Sequence, residues 1–372
     1  MPGAHRSGPR NPAGTERAAR RRIPLQLGPR RAGPASHRVR GGFLGPPSSR
    51  DAMDDVRWFA PNRFCTLVVP RLRDRGLSIA LDGDTPARLA IAMDAQVAAD
   101  AYRYAVRHRC PLIHYVWDLP PWWLGRGRHD WVWLVAGRYV WLPRLGRRYA
   151  ARRGFYSRLR YVAAHAAAVW VPSAATATSV RERFGVACRQ VPFCFDSDRF
   201  TPAAAGLRRG LLSVSRLTPQ KNHAAVIRAA ARFEPRIPVR IIGSGYDRAA
   251  LERLATELHV PCTIESDSSE TEVVAAYRVA EVVVCPSTFE GFGLTPMEAI
   301  ATATPVVVSD IPPHREFLGT APHFFRLDDD DSLVAAIGAA RAGPPPGRDV
   351  LSRVTIEAAA ERFSDGLTPY LG

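Results

Sequence analysis

The chain has 372 residues, 46% hydrophobic content and a formal net charge of +16. The length exceeds one ordinary core and sets two domains as the default, and the hydrophobic content suits a globular protein. The charge excludes a uniformly basic protein: residues 1–52 carry eleven Arg against Glu16 and Asp51, residues 122–161 carry ten Arg against Asp130, and the remainder is close to neutral. The six cysteines (65, 110, 188, 194, 262 and 285) show no paired close spacing. They read as reduced, cytoplasmic thiols, not as a disulfide or zinc framework.

Residues 1–52 are rich in Arg, Pro, Gly and Ser and have too few large apolar side chains to offset their ordering entropy. The expectation is a disordered basic leader, or one foreign to the natural protein, with translation starting at Met53. A basic tail touching nucleic acid or anionic lipid is the other reading. The leader lacks an apolar core of the secretory kind. The longest aromatic-apolar stretch, Trp131–Leu142, contains Arg138 and is too short to span a bilayer.

From Met53 strand and helix patterns alternate. Strands are predicted over Val56–Ala60, Leu77–Leu81, Leu89–Met93, Leu112–Trp117 and, as the last of this half, Ala167–Val171, with helices over Arg63–Arg75 and Ala95–Arg107. The pattern then restarts. Strands are predicted at Gly210–Ser215, Val239–Ile242, Cys262–Ile264, Val282–Cys285 and Pro305–Ser309. Helices are predicted at His223–Phe233, Asp247–Leu258 and Pro296–Thr302. Short apolar strands separated by helices indicate parallel, doubly wound sheets. The seam falls near Pro192–Pro202. Expected domains are 53–198, 199–350 and a closing helix within 351–372.

Chemistry concentrates in the second half. Arg216 and Lys221, the chain's only lysine, follow a strand's carboxyl end, where open α/β sheets bind ligands. A guanidinium fork beside an ammonium suits a diphosphate. A surface Arg and Lys is the plainer alternative, but a solvated charge in this arginine-rich chain had no need to be lysine. Gly243-x-Gly245 after Ile242 is either a ligand-approach loop or an ordinary tight strand–helix turn. Phe289-Glu-Gly-Phe-Gly-Leu-Thr-Pro-Met-Glu298 sets two carboxylates around a loop that enters a helix. Pro296 fits the first helical position, and Thr295 with Glu298 spells a capping box, so self-capping competes with ligand binding at Glu298. Over eight helical residues the two glutamates would stand about 12 Å apart. Hydrolytic carboxylate pairs need roughly 5–9.5 Å, so separate contacts with one ligand fit better.

Ser215-Arg216-x4-Lys221, Gly243-x-Gly245, Glu290-x7-Glu298 and Val306-Val-Val-Ser-Asp310 together resemble family 4 of the retaining glycosyltransferases, with the two-domain GT-B fold. The resemblance covers roughly 55–370 and is strongest in 205–335. Pro111–Pro120, Ala168–Ser173 and Phe184-Gly185 support it in the first half. It implies an α/β GT-B architecture of two Rossmann-like domains facing a cleft, with a helix in Thr355–Leu371 crossing back to the first domain. It implies that Arg216 and Lys221 hold the diphosphate and stabilise the leaving nucleotide, and that Glu290 contacts the sugar. The amides of Gly291, Phe292, Gly293 and Leu294 would line the donor pocket, Glu298 would bind ribose, and Gly243 and Gly245 would border the nucleotide. Transfer with retention and no essential metal or other cofactor is implied.

The chain departs from the family on the acceptor side. Ala60-Pro61-Asn62-Arg63 replaces a glycine-rich loop, and Trp117-Asp118 replaces His-Asp, so Asp118 stands as an acceptor-side candidate and His114 reads as structural. Phe193-Cys-Phe-Asp196 and Pro312-Pro313 replace further family patterns. The five tryptophans and ten arginines of Trp122–Tyr161 read either as an anionic membrane surface, on the inner face of a cytoplasmic membrane, or as helices with a packed aromatic face and a solvated basic one. The expected partners are a nucleotide-sugar donor, with mannose from a guanosine diphosphate donor slightly preferred, and a glycan or lipid-linked acceptor. Nucleic acid is the weaker partner, because no binding motif accompanies the basic stretch. The competing functions are a non-catalytic nucleotide-sugar-binding relative and a basic nucleic-acid-binding protein.

Overall fold

The computed structural model describes residues 53–59, 63–81, 83–120, 143–203 and 206–372, with backbone alone at 63 and 143–153. The leader 1–52, residues 60–62 and residues 122–142 of the basic aromatic segment lie outside the described residues.

The amino-terminal lobe has strands β1 (Asp54–Phe59), β2 (Ile79–Ala80), β3 (Ala87–Ala92), β4 (Leu112–Tyr115), β5 (Ala168–Val171) and β6 (Arg189–Gln190). They form one sheet in the order β2-β1-β3-β4-β5-β6, parallel throughout. Its helices are α1 (Arg63–Asp74), α2 (Ala98–His108), α3 (Pro143–His165) and α4 (Ala174–Phe184). The carboxyl-terminal lobe has β7 (Leu211–Val214), β8 (Val239–Ile242), β9 (Cys262–Glu265), β10 (Val282–Cys285), β11 (Val306–Ser309) and β12 (His323–Phe325). Their order is β12-β11-β10-β7-β8-β9, again all parallel. Between them run α5 (His223–Ala230), α6 (Arg248–Glu257), α7 (Glu270–Val279), α8 (Leu294–Ala301), α9 (Pro312–Leu318) and α10 (Asp330–Ala342). β10 and β11 are fully buried valine-rich runs, as helices on both faces of a parallel sheet require.

Helix α11 (Ile356–Leu371) crosses back to the amino-terminal lobe. Its Phe363 stacks on Trp58 at 5.7 Å and meets Trp170 edge-on at 5.3 Å. Gly366 lies against the same indole, where a Cβ would stand 2.6 Å from Trp170 Cη2. A side chain there would lift the helix off the sheet. Thr355 caps its start by accepting from Ala358 N–H at 3.1 Å.

The structure corrects several sequence expectations. Ala168–Val171 is not the last strand of its half, because β6 follows. That two-residue edge strand is exposed and polar, so it lacks the apolar signal by which strands are read. Helices α4, α7, α9 and α10 were not expected. Helix α8 begins at Leu294, not Pro296, with Gly293 as its N-cap in the left-handed region (φ 98°). Thr295 is therefore inside the helix, and its hydroxyl donates to Val214 O at 3.1 Å, so the expected Thr295–Glu298 capping box does not form. Pro296 still fits the first turn, where a missing N–H removes no helical bond.

Candidate functional site: the switch point of the carboxyl-terminal sheet

In the order β12-β11-β10-β7-β8-β9 the chain reverses direction across the sheet between β10 and β7. Loops leaving two adjacent strands at such a point open a crevice at their carboxyl ends, where doubly wound sheets take ligands. The loop after β7 carries Arg216 and Lys221, and the loop after β10 carries Glu290. Backbone bonds join the two loops: Thr288 N–H donates to Gln220 O at 2.8 Å. Lys221 closes a short 3-10 turn, Pro219–Lys221, and Asn222 follows at φ 52°, a conformation asparagine tolerates better than most residues.

Lys221 Nζ donates to Glu290 Oε1 at 2.5 Å, with 13% and 18% of the two side chains exposed. Burial works against the Glu290 charge. The Lys221 ammonium, its hydrogen bond and a hydrogen bond from Ser287 outweigh burial and hold the carboxyl below the usual glutamate value. The sequence-predicted lysine and glutamate thus converge.

Arg216 is exposed, and its guanidinium makes no hydrogen bond or ion pair to the described residues. Its loop is braced from below by a histidine relay. Ser213 Oγ donates to Val284 O at 2.9 Å and therefore accepts from His223 Nδ1 at 3.0 Å, which leaves His223 Nε2 to accept from Ser215 Oγ at 2.9 Å. Burial pushes the His223 imidazole down to about 4, so it stays neutral.

Gly243 and Gly245 support the same loop. A Cβ on Gly243 would lie 1.8 Å from Ser215 O, and one on Gly245 would lie 2.2 Å from Leu217 O. Ser215 N–H bonds to Ile242 O at 3.1 Å and Leu217 N–H to Ser244 O at 2.8 Å. The close approach these glycines permit is to the backbone around Arg216.

Around Glu290 the glycine loop is tightly enclosed. A Cβ at Gly291 would stand 2.3 Å from Trp117 O and 3.3 Å from Asp118 Cβ, so the amino-terminal lobe meets the loop here. Phe292 is buried against Phe193 and Phe317, Leu294 is exposed, and no side chain caps the α8 N-terminus at Gly293. First-turn amides without a capping side chain are available to an anion. Glu298, on the same helix, accepts from the fully buried Tyr277 hydroxyl at 2.7 Å. The two glutamates thus have different partners, as distinct contacts with one ligand would require. Asp118 reaches this site from the other lobe. Burial, reinforced by the Glu290 charge, pushes its carboxyl up, against the opposing pull of Arg216 and Lys221. His114, by contrast, is a core residue: it is fully buried and burial pushes its imidazole down to about 4.

Sequence reasoning missed His314. Its Nδ1 donates to Ser309 O at 2.9 Å, which leaves Nε2 as a buried lone pair with no protein partner among the described residues. The ring packs on Gly293, where a Cβ would stand 3.2 Å from Cδ2, and burial pushes the imidazole down, with the charges of Glu290 and Lys221 acting on it in opposite directions. Among the described residues no group of three His, Cys, Asp or Glu side chains converges as a metal site. No helix among them is long and apolar enough to cross a membrane.

The family Glycosyl transferases group 1 matches residues 195–340, the span that holds every one of these site residues except Asp118. The similarity to that family covers this part of the chain. Across a longer span the chain is 28% identical over 215 residues to an MMP alpha-(1->4)-mannosyltransferase of Mycolicibacterium hassiacum, covering 55% of this chain and 52% of that protein. It is 33% identical over 129 residues to the O-antigen chain mannosyltransferase RfbU of Salmonella typhimurium, covering 34% and 36%. The chain therefore spans about half or less of the length of these relatives. The structure of Anabaena Alr3699/HepE in complex with UDP and glucose superposes with a TM-score of 0.64 at 13% identity, covering 85% of this chain and 99% of that one. The fold of the chain is GT-B.

Proposed function

We propose that this protein transfers a hexose from a nucleotide-diphosphate sugar to a hydroxyl of a glycan or lipid-linked acceptor, with retention of configuration. The observation that carries the reading is the convergence of Lys221, Glu290 and the exposed Arg216 at the switch point of a group 1 domain. Arg216 and Lys221 would hold the diphosphate and stabilise charge developing on the leaving nucleotide, where pre-set donors act most strongly. Glu290, steadied by Lys221 and Ser287, would accept from sugar hydroxyls. The amides at Gly291–Leu294 would face the sugar and phosphate, and Glu298 would take the ribose. Asp118, from the opposite lobe, would meet the acceptor. Burial pushes its carboxyl up, which makes it a stronger base than an ordinary aspartate and suits it to receive a hydroxyl proton. No protein-bound metal enters this scheme.

The two mannosyltransferase relatives support mannose as the sugar, and the resemblance of Phe289–Glu298 and Ser309–Glu316 to mannose-transferring members of the family gives the preference for a guanosine diphosphate donor. For the basic segment 122–161, only part of α3 is described with side chains. There Leu159 and Val162 are buried while Arg158 and Arg160 face solvent, which favours a packed helix with a basic outer face. That outer face could meet an anionic membrane, placing the enzyme at the cytoplasmic surface.

The test is release of nucleoside diphosphate from GDP-mannose, UDP-glucose and UDP-N-acetylglucosamine by the full chain, with and without a lipid extract as acceptor. Acceptor-dependent release from one donor supports the reading. Binding of a nucleotide without release from any donor favours a non-catalytic relative, and retention on nucleic acid alone favours the third reading.

A further inference from the structure

We propose that Glu316 is a cross-lobe latch, a positioning residue that fixes how the carboxyl-terminal lobe sits on the amino-terminal lobe. Glu316 lies on α9 of the carboxyl-terminal lobe. Its two carboxylate oxygens accept from the Ala174 N–H at 3.2 and 3.0 Å, and Oε1 also accepts from Gln190 Nε2 of β6. Ala174 and Gln190 both belong to the amino-terminal lobe.

Ala174 is the first residue of α4, and first-turn amides have no partner inside their own helix. Ser173 Oγ accepts from Thr176 N–H at 3.1 Å, which leaves the Ala174 amide to a group from elsewhere. The positive end of an eleven-residue helix favours a carboxylate at that place. Glu316 has no ion-pair partner among the described residues, so the helix end and the Gln190 amide are what answer its charge. One lobe therefore supplies a second capping group to a helix in the other, beside Ser173.

The same short helix reaches the donor site. Two residues before Glu316, His314 packs on Gly293, the N-cap of α8 in the glycine loop that follows Glu290. α9 is thus fixed at one point in the donor-site core and at another on the opposite lobe. A tilt between the lobes that breaks the Glu316 bonds also draws Trp117 and Asp118 away from Gly291. The latch and the catalytic contact open together.

The test uses hydrogen–deuterium exchange on the full chain. Glu316→Ala is expected to raise exchange about tenfold in peptides covering the Ala174 amide and the Trp117–Asp118 strand end, the lower limit of what losing a charge-assisted hydrogen bond is worth. Exchange in the β7–β9 core should stay unchanged. Gln190→Glu alone sets two carboxylates face to face and should do the same. Gln190→Glu combined with Glu316→Gln restores an amide–carboxylate pair and should bring protection back. Unchanged exchange at both places in Glu316→Ala, or failure of the double exchange of residues to restore it, overturns the latch. The kinetic consequence rests on the transferase reading: Glu316→Ala should lower kcat about tenfold with donor KM unchanged. If the wild-type chain transfers no sugar, that reading fails while the exchange data still decide the latch.

Discussion

Replacing Lys221 by Met tests whether the Lys221–Glu290 pair is the structural centre of the site. The two side chains meet at 2.5 Å with 13% and 18% exposed, so the substitution leaves a nearly buried carboxylate without its counter-charge. Removing one partner of a fully buried pair costs about 3–5 kcal/mol. The residual solvent contact here brings the expectation to about 2–3 kcal/mol. In a lobe of this size that lowers the melting temperature by roughly 4–10 °C. Glu290→Gln should cost a comparable or smaller amount, because the amide oxygen still accepts from Lys221. The Lys221→Met and Glu290→Gln double variant should lose less than the sum of the single effects, by about 1.5–3 kcal/mol. The pH dependence has a fixed sign. The folded Glu290 carboxyl is held below its ordinary value, so the pair's contribution is complete above about pH 4.3 and is lost as pH falls through the lowered value. Calorimetric scans of the four proteins at pH 7, 5 and 3 check this. Single effects that add to within about 0.5 kcal/mol at pH 7 would refute the reasoning.

Gly291→Ala should push Trp117 O off the loop, since its Cβ would start 2.3 Å from that oxygen. The expected result is a loss of about 1–3 kcal/mol by thermal denaturation and a larger loss in sugar transfer than in nucleotide affinity. Gly243→Ala should displace Ser215 O and with it Arg216, lowering nucleoside diphosphate affinity at least tenfold by titration. Phe363→Ala should cost about 3–5 kcal/mol, because the ring is fully buried against Trp58 and Trp170, and proteolysis should then release α11 first. Asp118→Asn removes a carboxyl whose folded value is raised. Such a group weakens the native state as pH rises through that value. The variant should therefore melt a degree or two above the wild type at pH 7 and match it at pH 3, while transfer activity falls.

Much of the fold was legible because its strands are buried on both faces. Val282–Cys285 is an apolar run between Glu281 and Pro286, and Val239–Ile242, apolar but for Arg240, lies between Pro238 and Gly243; both have the expected limits. β6 was illegible because Arg189 and Gln190 are exposed and pair with one edge alone. In the site, a lysine unique in the chain and a glutamate at a strand's end were readable as partners, and they meet. What spacing misjudged depended on where a helix starts: Thr295 and Glu298 have capping-box spacing, but the turn begins at Leu294 and sends each to a tertiary partner. Gly243 and Gly245 were readable as places of close approach, but which backbone comes close is fixed by the neighbouring strand. His314 and Glu316 carry no local signal. Their roles come from α9 lying between two lobes far apart in sequence.

The most direct test of the central claim is a calorimetric titration of GDP, UDP and ADP into the wild-type chain and into Lys221→Met. We expect one nucleotide to bind the wild type and to lose between about ten- and a hundredfold in affinity in the variant, the worth of one charge-assisted hydrogen bond. Binding of none of the three, or equal affinity for both proteins, would contradict the assignment of this crevice to a nucleoside diphosphate.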